Sequence, residues 1–342
     1  MELRKIANVI IKIMMPLVLG GAILYWMYRD FDFRNIGHFM QHDMHWGWML
    51  LSFPFGILAQ AIRGWRWRQT LEPVDEHPRS STCVNSVFLS YAASLVVPRI
   101  GEFTRCGVLK RYDGTSFAKA LGTVVTERAI DSIVVATIAG LTLLLQVRVF
   151  NTFFDETGTS LESIMRGFSA TGYAVTAVCG MAALWLLHVL LKKLSIYNKV
   201  KATLSGILQG VTSLRKVRNI PLFILLTAGI WACYFLHYYL TFFCFDFTAN
   251  LGAACAMVTF VVGSIAVIVP TPNGAGPWHF AVKTMLMLYG VAEADALYFV
   301  LIVHTVQTML VILLGVWAWG ALAFTKRRTD AQTGADGNAT SI

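Results

Sequence analysis

Apolar runs near the 20 or so residues that a helix needs to cross a bilayer dominate this chain and limit what it can fold into. Full-length runs lie at about 7–28, 46–64, 117–147, 170–191, 221–245 and 296–325. Apolar residues fill 56% of the 342 positions and charged residues only 14%, against about 25% charged in an ordinary soluble domain. A soluble fold of this size needs more polar surface to stay dispersed in water. The chain therefore reads as an all-α polytopic membrane protein. A large soluble catalytic domain, a nucleic-acid binder and a disulfide scaffold are excluded.

The charges are sorted by position. Lys and Arg total 28 against 19 Asp and Glu, a formal net charge of +9, but the excess forms no single basic face. It collects between apolar runs: Lys192, Lys193, Lys199, Lys201, Arg215, Lys216 and Arg218 in 191–219; Arg63, Arg66, Arg68 and Arg79 in 63–79; Lys326, Arg327 and Arg328 near the end. The stretches 29–45 and 148–166 each hold three acids and two arginines. Placing the basic group in the cytoplasm fits six crossings with both termini inside, in the inner membrane. The N-terminus has no small-residue cleavage site before Arg29, so the first run reads as a retained crossing. The six cysteines (Cys83, Cys106, Cys179, Cys233, Cys244, Cys255) are scattered, without a CxxC pair, and read as small buried apolar residues.

Two further apolar stretches are interrupted. One runs from about Val84 to Val97, breaks at Pro98-Arg99-Ile100-Gly101-Glu102 and resumes to Leu109. The other runs from Leu251 to Val269, breaks at PTPNGAGP (270–277) and resumes from Trp278 to Tyr289. Broken backbone at membrane depth is tolerated only against protein or a water-filled cavity, so both are expected to be re-entrant helical hairpins. The unit "46–64, hairpin 84–111, 117–147" is echoed by "221–245, hairpin 251–290, 296–325". Pro98 corresponds to Pro270 and Gly114 to Gly290. With hairpins opening from opposite sides, the halves 46–147 and 221–325 form an inverted-topology repeat, an arrangement found in secondary transporters. The membrane domain spans 1–328, and 329–342 reads as a small, polar, disordered cytoplasmic tail.

Charges inside apolar surroundings are expensive and persist only when paired, hydrated or bound to a charged ligand. Arg99, Glu102, Arg105, Glu127, Arg128 and Asp131 all lie in or beside membrane segments. Glu102 and Arg105 are spaced i, i+3, and Glu127 and Asp131 i, i+4, so each pair shares a helix face. One reading is a structural network in which the three acids neutralise the three arginines. The other leaves arginines partly free for an anionic headgroup, since the planar guanidinium fork suits phosphate. Asn273, Gly274 and Gly276 in the second break offer exposed backbone groups, and a helix starting near Pro277 directs its N-terminus at the break. His279 and His304 are polar groups at depth beside it. The run Ile62-Arg63-Gly64-Trp65-Arg66-Trp67-Arg68 reads as an interface anchor ending the second crossing, with Arg66 able to face a cavity mouth. His38, His42 and His45 with Asp43 have ligand-like spacing but no fourth partner, and no metal or other cofactor is expected. Phosphate-binding loops, nucleophile elbows and paired-carboxylate signatures are missing, so the chain is not expected to be an enzyme.

The run P-R-x-G-E-x-x-R (98–105), the following G-x-S-x-x-x-A-L-G-x-V-x-x-E-R-x-x-D (114–131) and the P-x-P-x-G-x-G turn (270–276) resemble the lysylphosphatidylglycerol synthase transmembrane-region family, also called the flippase-like domain family. The likeness covers about 5–325. It implies an integral membrane protein that binds or translocates lipids, here without the soluble aminoacyl-transferase domain of two-domain members. Arg99, Gly101, Glu102, Arg105, Glu127, Arg128, Asp131, Gly274 and Gly276 match the family pattern. The chain differs at Ser94, where members often carry Asn, and at His279, where they often carry Glu. These differences bear on headgroup choice and on proton coupling. The expected function is flipping of an anionic or phosphate-bearing lipid, whether phospholipid, polyprenyl-phosphate carrier or glycolipid. The alternatives are a non-transporting scaffold for an envelope lipid or glycan synthesis enzyme and a membrane-embedded lipid-modifying enzyme. No nucleic-acid partner is expected, and homo-oligomerisation is left open.

Overall fold

The computed structural model describes residues 14, 17–29, 31, 33–146 and 217–327, and these residues are helical apart from short connections, with no strand among them. The expected crossing at 170–191, the stretch 148–166, most of the basic segment 191–219 and the tail 329–342 lie outside the described residues. The helices are α1 (Leu17–Tyr28), α2 (Ile36–His42), α3 (Trp46–Leu71), α4 (Ser80–Val96), α5 (Ile100–Asp113), α6 (Phe117–Leu145), α7 (Ile220–Tyr239), α8 (Asp246–Ala249), α9 (Gly252–Ala266), α10 (Pro277–Leu288) and α11 (Glu293–Ala323).

Local chemistry sets the boundaries. Asn219 caps α7 by accepting from Leu222 N at 3.0 Å, with a proline in the first turn, the preferred start for a helix. Helix α5 stops at Gly114 in the left-handed region (φ 73), and Gly290 (φ 86) follows α10 in the same way, so the two aligned glycines do the same work. Helix α3 runs on to Leu71 instead of stopping at Gly64. Arg, Gln and Leu are good helix formers, and the helix yields only where Glu72 precedes Pro73. The first interruption is also narrower than expected: α5 starts at Ile100, so Gly101 and Glu102 are already helical.

Both interrupted stretches are closed antiparallel hairpins. At the base of the first, the Arg79 backbone N–H and guanidinium donate to the Asp113 carboxylate, and Arg79 Nη2 donates to the Tyr112 carbonyl at 2.9 Å. At its tip, Gly101 N–H donates to Ser94 Oγ at 3.2 Å. A Cβ on Gly101 would collide with the Ser90 carbonyl, so this close approach depends on glycine. In the second hairpin, Gly263 of α9 lies against Trp278 and Val282 of α10. Each break holds a non-glycine residue with left-handed backbone, Arg99 (φ 64) in one and Asn273 (φ 51) in the other.

The repeat is visible in the packing. Helices α3 and α7, equivalent in the two halves, pack along their length and run antiparallel. Ser52 and Gly56 meet His237, Ile62 meets Gly229, and Arg66 meets Thr227. Antiparallel equivalents are what an inverted repeat requires. The exchange is reciprocal, because α11 packs on α4 and α6 packs on α9. One apolar core joins α3, α4, α5 and α6 around Trp67, Cys83, Val87 and Leu109. A larger one fills the second half around Phe242, Phe245, Leu286 and Phe299. Ala59, Ile62, Ile230 and Cys233 form the seam between them.

Outside these cores the surface is apolar. On α11, Leu313 is 64%, Trp317 67% and Trp319 70% exposed, a stripe far larger than soluble monomers leave in water. Among the described residues, Ile220–Cys244 and Glu293–Ala323 are long and apolar enough to cross a membrane. Helices α3 and α6, with 26 and 29 residues, have the length as well, but both carry ionised side chains in mid-helix.

Candidate functional site

Those side chains meet in one place. Arg63 and Arg66 project from α3, Arg105 from α5, Glu127 and Asp131 from α6, and all five are buried. Asp131 bridges the two α3 arginines, taking Arg63 Nη1 on Oδ2 at 2.6 Å and Arg66 Nη2 on Oδ1 at 2.8 Å. Glu127 pairs with Arg105 Nη1 at 2.7 Å and, more loosely, with Arg66 Nη2 at 3.4 Å. Arg66 Nη1 also donates to Thr227 Oγ1 of α7 at 3.3 Å, which ties the cluster to the other repeat. The Arg105 guanidinium lies 4.5 Å from the Trp67 ring centroid, and that indole N–H donates to Thr123 Oγ1 at 2.9 Å.

Three guanidinium groups face two carboxylates, so the buried cluster carries an excess positive charge. Polar atoms of both signs are left over: among the described residues the Nε atoms of Arg63, Arg66 and Arg105, Nη2 of Arg105 and Oε2 of Glu127 have no hydrogen-bond partner. Desolvating an ion costs several kcal/mol, and the close ion contacts offset that cost.

A more accessible shell lies beside it. Arg128 Nε pairs with Glu102 Oε1 at 2.9 Å, with the side chains 45% and 31% exposed. Arg99 is exposed at the hairpin tip and forms no side-chain ion pair among the described residues. Tyr91 of α4 and Tyr234 of α7 share a 2.8 Å hydroxyl contact, and the Arg63 guanidinium sits over the Tyr234 ring.

The second break builds a separate polar cluster. Asn273 Nδ2 donates to Thr308 Oγ1 at 2.7 Å, and His304 Nε2 donates to the Asn273 carbonyl at 3.1 Å. A carbonyl only accepts, so Nε2 carries the His304 proton. His279 Nδ1 accepts from Gly276 N–H at 3.4 Å, and its ring lies 4.4 Å from that of His304. Gly274 (φ 71) and Gly276 (φ 92) supply backbone that other residues resist. Gly276 presses on α1, where an added Cβ would sit 2.9 Å from the Gly20 carbonyl. The start of α10 is therefore covered by His279 and α1 instead of being open to an anion as expected.

Of the residues expected in one cluster, Arg105, Glu127 and Asp131 meet, joined by Arg66, which was expected at an interface or cavity mouth. Arg99, Glu102 and Arg128 stay outside it, and Asn273, Gly274, Gly276, His279 and His304 lie together at the second break. The pairing differs in part from the expected network: Asp131 pairs with Arg63 and Arg66 of α3, which were not in the expected set, while Glu102 pairs with Arg128 within it. The Arg/Trp run is not an interface anchor, because Arg63, Arg66 and Trp67 are buried while only Trp65 and Arg68 face outward. Arg63, Trp67, Tyr91, Thr227, Tyr234 and Thr308 were missed. The i, i+3 spacing of Arg63 and Arg66 against the i, i+4 spacing of Glu127 and Asp131 was the available signal, since the two pairs can zip across facing helices. The histidine group near the N-terminus does not converge: His45 pairs with Asp246 at 3.0 Å, and His38 stacks on His42. Among the described residues no three His, Cys, Asp or Glu side chains gather in a metal-binding group.

Fold and cluster together define an all-α membrane protein with an arginine-rich ionic centre among α3, α5 and α6, touched by Thr227 of α7. The sequence matches the family described as lysylphosphatidylglycerol synthase TM region over residues 13–315, and the chain belongs to that family. It is thus a membrane protein related to lipid handling. No curated protein and no solved structure matches the chain.

Proposed function

We propose that this protein moves an anionic or phosphate-bearing lipid headgroup between leaflets, with the arginine cluster as the polar station on its path. The observation that carries this reading is the excess of buried positive charge with unpartnered guanidinium donors, contiguous with the half-exposed Arg128. A phosphate diester supplies the missing anion, and arginine can hold it through two parallel hydrogen bonds. In this reading Arg128 and Arg99 meet the headgroup, and Glu102, Glu127 and Asp131 orient the arginines. The protein acts as a carrier, not an enzyme.

Geometry supports the membrane arrangement. Arg79, Arg111, Lys326 and Arg327 gather at one end, which the positive-inside rule makes cytoplasmic and which fits an inner-membrane protein with its C-terminal end inside. Both ends of the first hairpin lie there. The second hairpin starts and finishes near Asp246 and Glu293, at the opposite end. At 1.5 Å per residue its arms and those of the first hairpin span about 18–26 Å, short of the ~30 Å hydrocarbon core. Both are therefore read as re-entrant from opposite sides, with alternating access by one half rocking on the other along the α3–α7 seam.

The test is mass spectrometry of lipid extracted from gently purified protein, wild type against Arg128→Ala. Arg128 is preferred to Arg105, whose burial makes its loss a folding defect. A phosphate lipid carried in a larger amount by wild type than by a folded Arg128→Ala variant supports the reading. Identical bulk lipid on both contradicts it and moves a scaffold role ahead.

A further inference from the structure

A cleft of about 720 Å³ opens between α5 and the end of α11, away from the ionic centre. That volume is in the range of pockets that hold small molecules. Its walls are chemically divided. Val108, Trp319 and Leu322 form an apolar side, and Arg111, Lys326 and Arg327 form a cationic rim. No acidic side chain lines it, and these three cations have no carboxylate partner among the described residues. The cleft is also built, not incidental. Beneath it Arg79 donates Nη1 to the Lys326 carbonyl at 3.1 Å and Nη2 to the Tyr112 carbonyl, while Asp113 takes up the Arg79 charge. Trp319, mostly exposed, marks the depth, since tryptophan concentrates where hydrocarbon meets headgroups.

We infer that this cleft is a resident site for one anionic phospholipid of the cytoplasmic leaflet, its phosphate among Arg111, Lys326 and Arg327 and its acyl chains along Val108, Leu322 and Trp319. Basic pockets between transmembrane helices on the cytoplasmic side bind phosphate headgroups in this way. The bound lipid links the first hairpin to α11 of the other half, and the site does not depend on the translocation reading.

Native mass spectrometry of the full-length protein titrated with phosphatidylglycerol, phosphatidylcholine or inorganic phosphate tests it. Each Lys or Arg near an anionic lipid is worth about 1 kcal/mol, or about fivefold, so Arg111→Ala/Lys326→Ala/Arg327→Ala is expected to weaken phosphatidylglycerol binding about a hundredfold. These residues face outward, so an unchanged melting temperature certifies the variant. Phosphatidylcholine binding is expected to stay the same, and Arg128→Ala is expected to keep the cleft lipid even if it loses transport. Undiminished phosphatidylglycerol binding by the folded triple variant overturns the inference. So does inorganic phosphate displacing the lipid at equal concentration, which would mark a site for free anions.

Discussion

Replacing Asp131 by Asn removes one negative charge and almost no volume. In the native cluster that carboxylate, 9% exposed, holds Arg63 at 2.6 Å and Arg66 at 2.8 Å, and both guanidinium groups are themselves buried. The amide keeps one acceptor oxygen and turns an N–H₂ toward a cation. Three buried guanidinium groups are then left facing Glu127 alone. Breaking a buried pair by removing one partner costs about 3–5 kcal/mol, because the stranded charge cannot return to water. The internal control is Glu102→Gln, which breaks a pair that solvent already screens and costs about 0–1 kcal/mol. With about 2–4 °C of melting temperature per kcal/mol at this size, Asp131→Asn is expected to melt about 10 °C below wild type and Glu102→Gln within about 3 °C. Tryptophan fluorescence in detergent reads both, as the chain has ten tryptophans. Adding Arg63→Gln to Asp131→Asn is expected to recover part of the loss. If Asp131→Asn melts no lower than Glu102→Gln, the electrostatic argument fails.

Gly101→Ala drives a methyl into the Ser90 carbonyl and is expected to cost about 1–3 kcal/mol as overpacking, whereas Gly107→Ala, which meets open space, should be neutral or mildly stabilising; a urea or thermal series separates them. Trp67→Phe loses the 2.9 Å bond to Thr123 and is expected to lower stability by about 1 kcal/mol, together with a change in near-ultraviolet circular dichroism as Arg105 loses its indole. Asn273→Ala frees Thr308 and removes a polar side chain that tolerates the left-handed backbone at that position. It is expected to raise hydrogen exchange across 267–276 while leaving the first hairpin protected.

How legible these features were depended on their range. Apolar runs and Gly/Pro breaks are local signals, so the described helices and the two interrupted stretches could be read with boundaries off by a few residues. The alignment of Gly114 with Gly290 survived because both solve the same backbone problem, a helix stop in the left-handed region. Partner choice in the ionic centre is not local. Arg63 and Asp131 are 68 positions apart, and only the packing of α3 on α6 brings them together. The Arg/Trp run misled for a related reason: position on a helix decides whether an arginine anchors at an interface or sinks into a core, and Trp65 and Trp67 take opposite fates two residues apart. The closed start of α10 was hidden because its cover, Gly20, comes from a helix far away in sequence.

The measurement that tests the central claim most directly is lipid translocation in proteoliposomes carrying a headgroup-labelled anionic phospholipid, followed by quenching of the outer-leaflet label. Wild-type protein is expected to bring inner-leaflet label out to the quencher, and Arg128→Ala, folded and melting within about 3 °C of wild type, is expected to lose that activity. Equal translocation by the two proteins, or none above protein-free vesicles with wild type, would contradict the account.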